Sequence, residues 1–319
     1  MSTPRPFPVD AAMTAIAVNF RNPDVSFIAD GLMPLVGVVS PRFKWTWFPP
    51  EQFFTVPDTL IGRKGIPQEM EFGGEERDAS VNDYALDVTI PLTDITDAAA
   101  GRANGTSNID PEALAVQGMA HAMQIDREKR VAAMVQDAAN YDAANVVPLA
   151  GAGKFSDPAS DPIGVITEAL NSSFTGRFNV MATNRRTLSA LATHPQIVKA
   201  TNRNSGDAGI ATRQAIADLF ELNEILVGES FVNTARKGQA AAIQPVWGNN
   251  IALLHRDTQA GPDSPFPAWG WTAQFGTRVA SRWQVRENGI EGAMRLRVGW
   301  RVREVVSAPS AGYLIQNAI

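Results

Sequence analysis

The chain has 319 residues, 45% of them hydrophobic and 19% charged, and its 28 Lys and Arg against 33 Asp and Glu leave a formal charge of −5. That much apolar side chain excludes global disorder, and the mild acidity argues against a dedicated nucleic-acid binder, which needs a basic stripe to displace phosphate counterions. The absence of cysteine removes disulfides, thiolate metal sites and cysteine nucleophiles together.

Residues 1–40 read as an extended arm carrying one short helix. Asp10 is placed to cap Ala11–Phe20, and Asn22-Pro23 ends that helix, because a residue before proline avoids the helical region. The order of acid first and apolar stretch second is the reverse of a secretory leader. The next apolar run, Gly31–Val39, is broken by Pro34 and is too short to span a bilayer. A soluble protein made in the cytoplasm is expected. The arm cannot bury itself; it must lie on its own domain or on a neighbouring subunit.

Residues 41–54 are dense in aromatics, and Phe43, Trp45 and Trp47 alternate with Arg42, Lys44 and Thr46 at the period of a half-buried strand. Residues 58–80 are glycine-rich and charged, with too few apolar side chains for a core, which predicts a long projecting hairpin or loop. Its return limb places Tyr84, Leu86, Val88 and Ile90 on one face. Asp110-Pro111-Glu112 is then a strong helix start, with Asp110 as N-cap and Pro111 at the first helical position. Val116, Ala120, Met123, Val131, Met134 and Ala138 continue near the helical period to about Tyr141. That predicts a rod of roughly 45 Å. Its mid-rod charges, Asp126-Arg127-Glu128-Lys129-Arg130, read as a solvated face, though such charges also suit contact with another chain.

Further along, the pattern predicts a helix over 162–171, a buried strand over 178–182 and an Asn184-capped helix ending near His194-Pro195. A polar loop at 201–209 precedes a helix at 212–222 and a strand at 224–228. Strands follow at 250–255, 271–279, 284–287, 293–306 and 313–316. Helices and strands mixed in this way, without a regular βαβ series, define an α+β fold.

No chemistry stands out. Gly151-Ala152-Gly153-Lys154-Phe155-Ser156 lacks the first glycine of a phosphate loop and has Phe155 where a hydroxyl is needed, so it reads as a flexible linker. His121, His194 and His255 have no metal-ligand spacing. His121 is expected to face a neighbour or solvent, and His194 to meet the last carbonyls of its helix. Gly228-Glu229-Ser230-Phe231-Val232 lacks the closing glycine of a nucleophile elbow, and Glu75-Glu76 lies in the polar loop. Catalytic, cofactor and metal residues are therefore expected to be none. An apolar arm, a projecting loop and a rod-like helix describe a subunit built to touch other subunits.

Ile28-Ala29-Asp30 with Pro34 and Val36-Gly37-Val38, the aromatic strand, the charged loop and Tyr84-Ala85-Leu86 follow in an order that resembles the tailed-bacteriophage major capsid proteins. The long helix with residues 126–130 and the closing Ala308-Pro309-Ser310-Ala311-Gly312-Tyr313-Leu314-Ile315 extend the resemblance over nearly the whole chain. It implies the capsid fold, with an arm at 1–40, an extended loop and its strands at 41–92, and the spine helix of the peripheral domain and a connection at 93–164. An axial domain would occupy 165–290, and strands at 291–319 would return to the peripheral domain. It also implies hexamers and pentamers forming an icosahedral or elongated shell around double-stranded DNA in a virion, with scaffolding, portal and cementing partners and no membrane. The absence of a long charged N-terminal scaffolding region predicts a separate scaffolding protein or earlier processing. An encapsulin-type nanocompartment around a cargo enzyme is the alternative. Some family members weld subunits through a loop lysine and an asparagine; Lys64 sits where such a lysine belongs, but it reads as a loop-tip cation, and a noncovalent shell is expected.

Overall fold

The computed structural model describes residues 8–20, 27–47, 49, 52, 54–57, 59–61, 65–67, 69–70, 73–174, 176–201, 209–236, 238–257, 261 and 268–319. Two five-stranded sheets organise them. The first consists of β1 (Leu35–Gly37), β4 (Asn82–Pro91), β11 (Gly270–Gln274), β12 (Val279–Val285) and β13 (Ala293–Val306). The 14-residue β13 is its axis, pairing with β4 along one side and with β12 and then β11 along the other. The second has the order β5 (Val146–Pro148), β14 (Gly312–Gln316), β10 (Ile251–Leu254), β6 (Val180–Asn184), β7 (Glu224–Gly228). Two small ladders stand apart: β2 (Arg42–Trp47) with β3 (Glu75–Ser80), and β8 (Phe231–Asn233) with β9 (Ile243–Pro245).

The strands of the second sheet are apolar without alternation because both of its faces are covered. Ile251 and Leu253 of β10 point into a core built by α5 (Pro162–Asn171), α6 (Arg185–Thr193), α7 (Pro195–Thr201) and α8 (Arg213–Leu219). Ala252 and Leu254 point the other way, towards Ile28, Leu32 and Met33 of the arm and Val131 and Val135 of the long helix α4 (Pro111–Val135). In the first sheet Leu296, Val298, Trp300 and Val302 of β13 face Val116, Met119 and Met123 of α4, together with Ala17 of α1 (Ala11–Asn19).

Local chemistry sets the helix ends. Asp10 accepts from the Met13 amide, Asp110 from Glu112 and Ala113, Asp161 from Gly164, and Asn184 from Thr187. The long helix stops at Val135, six residues short of the expected end. Gln136 caps it, Asp137 then caps a 3₁₀ turn at Ala138–Asn140, and the Tyr141 hydroxyl donates to Val135 O at 2.6 Å. Its 25 residues make a rod of about 38 Å.

Other expectations are corrected. The segment expected as one strand over 271–279 is two strands, divided at Gly276, whose φ of +71° makes the turn. β11 and β12 pair through β13 in the first sheet, whereas β14 lies inside the second. The 151–156 segment is anchored rather than free, with Phe155 buried in the helix-covered core and its amide bonded to Ala318 O. The helix α3 (Leu92–Ala103), which begins directly where β4 ends, has no counterpart in the sequence reading.

Candidate functional site

Glu128 and Arg127 are the most deeply buried ionisable pair on α4, 0% and 2% exposed. The solvated-face reading fails here because the arm folds back over this stretch of helix. The Glu128 carboxylate accepts from the amides of Ile28 (3.0 Å) and Ala29 (2.9 Å) and from the Trp247 indole N–H (2.7 Å). Burial pushes its pKa up, and these three donors oppose that shift. Arg127 donates to Met33 O (3.1 Å) and Thr272 Oγ1 (3.2 Å) and pairs with Asp30 at 2.6 Å. The single helical turn α2 (Ala29–Leu32) thus lies between an anion at its amino end and a cation at its carboxyl end, the polarity its peptide dipoles favour. Arg256 adds a bond to Gly31 O at 2.7 Å. Trp247 needs Gly228 beside it, since a Cβ there would stand 2.1 Å from its ring; that glycine serves packing, not a nucleophile elbow.

The same helix carries two further charge contacts. Arg130 pairs with the buried Glu304 at 3.0 Å and with Asp126, and lies 3.8 Å over the Tyr84 ring. Glu112 takes a two-pronged contact from Arg282 at 2.7 and 3.1 Å.

The loop beyond β2 is the opposite case. Phe43 and Trp45 at its base pack on Trp271, and Arg77 lies 4.3 Å over Trp47. Further out Val56, Leu60 and Ile66 are 83%, 87% and 93% exposed, with Phe54, Ile61 and Met70 about half covered. Glu75 and Glu76 belong to β3, where Glu75 pairs with Arg77 and Glu76 with Lys44. Lys64 lies outside the described residues. Isolated exposed apolar residues are ordinary, but a run of them on one projection marks a surface meant for a partner.

The histidines do not converge. His121 is half-buried, lying against Phe20 and Phe27 at ring distances of 6.3 and 5.8 Å. His194 is buried, and its Nε2 reaches Ser160 Oγ (3.2 Å) and Asp157 O (3.1 Å), not its helix carbonyls. Nδ1 of that ring accepts the Gln196 amide, and the Ser160 hydroxyl donates to Asp157 O at 2.8 Å, so the ring is held in a structural network of backbone and side-chain groups. His255 follows β10 as expected and contacts Arg177 O. Among the described residues no cluster of His, Asp or Glu is arranged to hold a metal, and no helix is long and apolar enough to cross a membrane. The arm is thus held by its own subunit, while the described loop residues leave apolar side chains outward.

Comparison with known proteins gives the family. No family model matches the chain. A major capsid protein of Pseudomonas phage JBD67 is 37% identical over 314 residues, covering 98% of both chains. A major capsid protein of Burkholderia phage BcepMu is 26% identical, covering 97% of this chain and 96% of the other. A phage-related protein from Bordetella bronchiseptica RB50 superposes with a TM-score of 0.75 at 25% identity, covering 98% of this chain and 99% of that one. At the level of fold alone, the capsid of cyanophage P-SCSP1u (TM-score 0.57, 10% identity, 99% and 92% covered) and the SrpI encapsulin of Synechococcus elongatus PCC 7942 (0.51, 10%, 99% and 92%) are also similar. The chain belongs to the phage major capsid protein family. It has the family's α+β capsid fold and is a shell-forming structural subunit.

Proposed function

We propose that the subunits close as hexamers and pentamers into the icosahedral or elongated head of a virion, around double-stranded DNA held without sequence readout. The observation that carries this reading is the set of exposed apolar side chains between Phe54 and Met70 in a chain 37% identical to a phage major capsid protein over 98% of its length. Val56 and Ile66 are 83% and 93% exposed and would gain burial from a neighbouring subunit, and a stable interface buries about 1,600 Å² in total. The net charge of −5 suits a container, since a strongly cationic lining would grip DNA during packaging and release. Portal, scaffolding and cementing proteins are its expected partners, the host cytoplasm its place of synthesis, and its role non-enzymatic. The helix-covered sheet of β5, β14, β10, β6 and β7 corresponds to the axial domain, and α4 with the β13 sheet to the peripheral domain.

Electron microscopy of the purified protein, with nuclease protection of the particle contents, tests the proposal. Shells holding protected double-stranded DNA support it, and a single co-purifying enzyme inside would favour the nanocompartment. No particle at any concentration would overturn both. Boiled particles should run as one band near the chain mass of 34.3 kDa. A ladder abolished by Lys64→Ala would contradict noncovalent closure.

A further inference from the structure

We infer that Arg127 and Glu128 are register-setting residues: they fix where the arm sits along the spine helix, and so where the projecting loop leaves the body. Apolar burial cannot set this register alone. Residues 27–39 read Phe-Ile-Ala-Asp-Gly-Leu-Met-Pro-Leu-Val-Gly-Val-Val, an apolar run in which Leu32 and Met33, or Leu35 and Val36, are close enough in size to exchange in a core, and at Gly31 an added side chain would first meet the flexible end of Leu226. The ladder that follows is short and parallel, Leu35↔Thr272, Val36↔Ala273 and Gly37↔Gln274. Pro34 contributes no amide to it.

The charges supply what the apolar run lacks. Glu128 holds the amides that open α2, and Arg127 holds Met33 O beyond its end while meeting Asp30, the single acid in the run. The turn is gripped from both ends. Translation in either direction breaks the bonds of Glu128 or of Met33 O, both buried where water does not replace them. Polar groups buried at such positions act as registry devices where apolar packing is permissive. The consequence travels along the chain. Thr272 also donates to Met33 O and its amide to Pro34 O, so the clamp is continuous with the start of β1. A one-residue slip in β1 turns Val36 and Val38 away from Phe43, Trp271 and Val305, the cluster on which the loop base rests.

The cysteine-free chain allows a direct test. A Val36→Cys/Ala273→Cys pair, adjacent in the ladder, should form a disulfide in free subunits under a mild oxidant. Adding Glu128→Gln replaces an acceptor by an amide that faces three donors. It should lower this cross-link about fivefold or more and raise that of Val36→Cys/Gln274→Cys, while particle yield falls. If Glu128→Gln is insoluble, Arg127→Lys keeps the charge but loses the planar fork, and the same exchange of cross-links is expected in it. Native cross-linking left unchanged in the soluble variant overturns the inference, whatever happens to particles. The particle result rests on the proposed shell function; the cross-link does not, so the two fail separately.

Discussion

The arm and the projecting loop look alike in sequence, each a stretch with no core of its own, yet the structure treats them oppositely. Residues 28–33 of the arm are built into the junction between the two sheets, with Ile28, Ala29, Leu32 and Met33 all buried. Among the described loop residues Val56, Leu60 and Ile66 are largely in solvent, while Phe54, Ile61 and Met70 are about half covered. The difference lies in what the rest of the chain offers them. Helix α4 carries a charge for each end of α2 and apolar side chains beside it, whereas the described loop residues beyond Trp47 stay largely open, with Phe54 meeting the Phe174 ring edge-on at 5.7 Å. One segment belongs to the fold of the subunit; the other, on the proposed function, is covered by neighbouring subunits.

The largest expected effect follows from removing the arm. Deleting residues 1–34 strips Glu128 of two donors and Arg127 of Asp30 and Met33 O. Breaking a buried charge contact costs about 3–5 kcal/mol, and the lost burial of Leu32 and Met33 adds roughly 1.5–3 kcal/mol each. Together these approach the whole stability of a typical domain. The truncated chain should fail to melt cooperatively by circular dichroism. A truncated chain that melts as the full one does would place the arm beside the loop as an assembly element.

Ala122→Pro should rank next. Ala122 lies mid-way along α4, and proline there costs about 3 kcal/mol or more by removing a bond and clashing with the preceding turn. A lowered melting temperature with loss of particles is the expected outcome. In the loop, Leu60→Ser with Ile66→Ser should separate fold from assembly. Exposed substitutions shift stability by within about 0.5 kcal/mol, so subunit melting should stay put while shells fail to close.

The smallest effect concerns Asp87, whose carboxyl is held below the usual range by its hydrogen bond to Arg297, 2.7 Å away. Because the folded pKa is depressed, this pair stabilises β4 on β13 above the ordinary value of 3.8. The contribution is lost as pH falls below that value through the folded one. Partly exposed, the pair contributes about 1 kcal/mol or less. Asp87→Asn should flatten that part of the acid stability profile, and an unchanged profile would show that the pair contributes nothing.

Much of the frame was legible in the sequence, and for local reasons. Asp10, Asp110, Asp161 and Asn184 each announce a helix through their own side chain, and the alternation at 43, 45 and 47 survives as a half-buried face. What stayed hidden depends on partners distant in sequence. Glu128 reads as solvated because its donors lie 100 and 119 residues away. The end of α4 is set by Gln136 and the Tyr141 hydroxyl, not by a proline or glycine signal. The sheet membership of β14 follows from its pairing with β10 and β5, which no periodicity reports. One clue was available: the acid and base at 127 and 128 fall between Met123 and Val131 on the helical period, where a purely solvated stretch would have been interrupted by nothing buried.

Hydrogen exchange measured on free subunits and on assembled shells tests the contrast between arm and loop most directly. The amides of Ile28 and Ala29, bonded to Glu128, should exchange slowly in both states, and loop amides between Phe54 and Met70 should become slow only in the shell. Arm amides that exchange quickly in the free subunit and slow on assembly would contradict the account, because the arm would then be completed by a neighbour and not by its own spine.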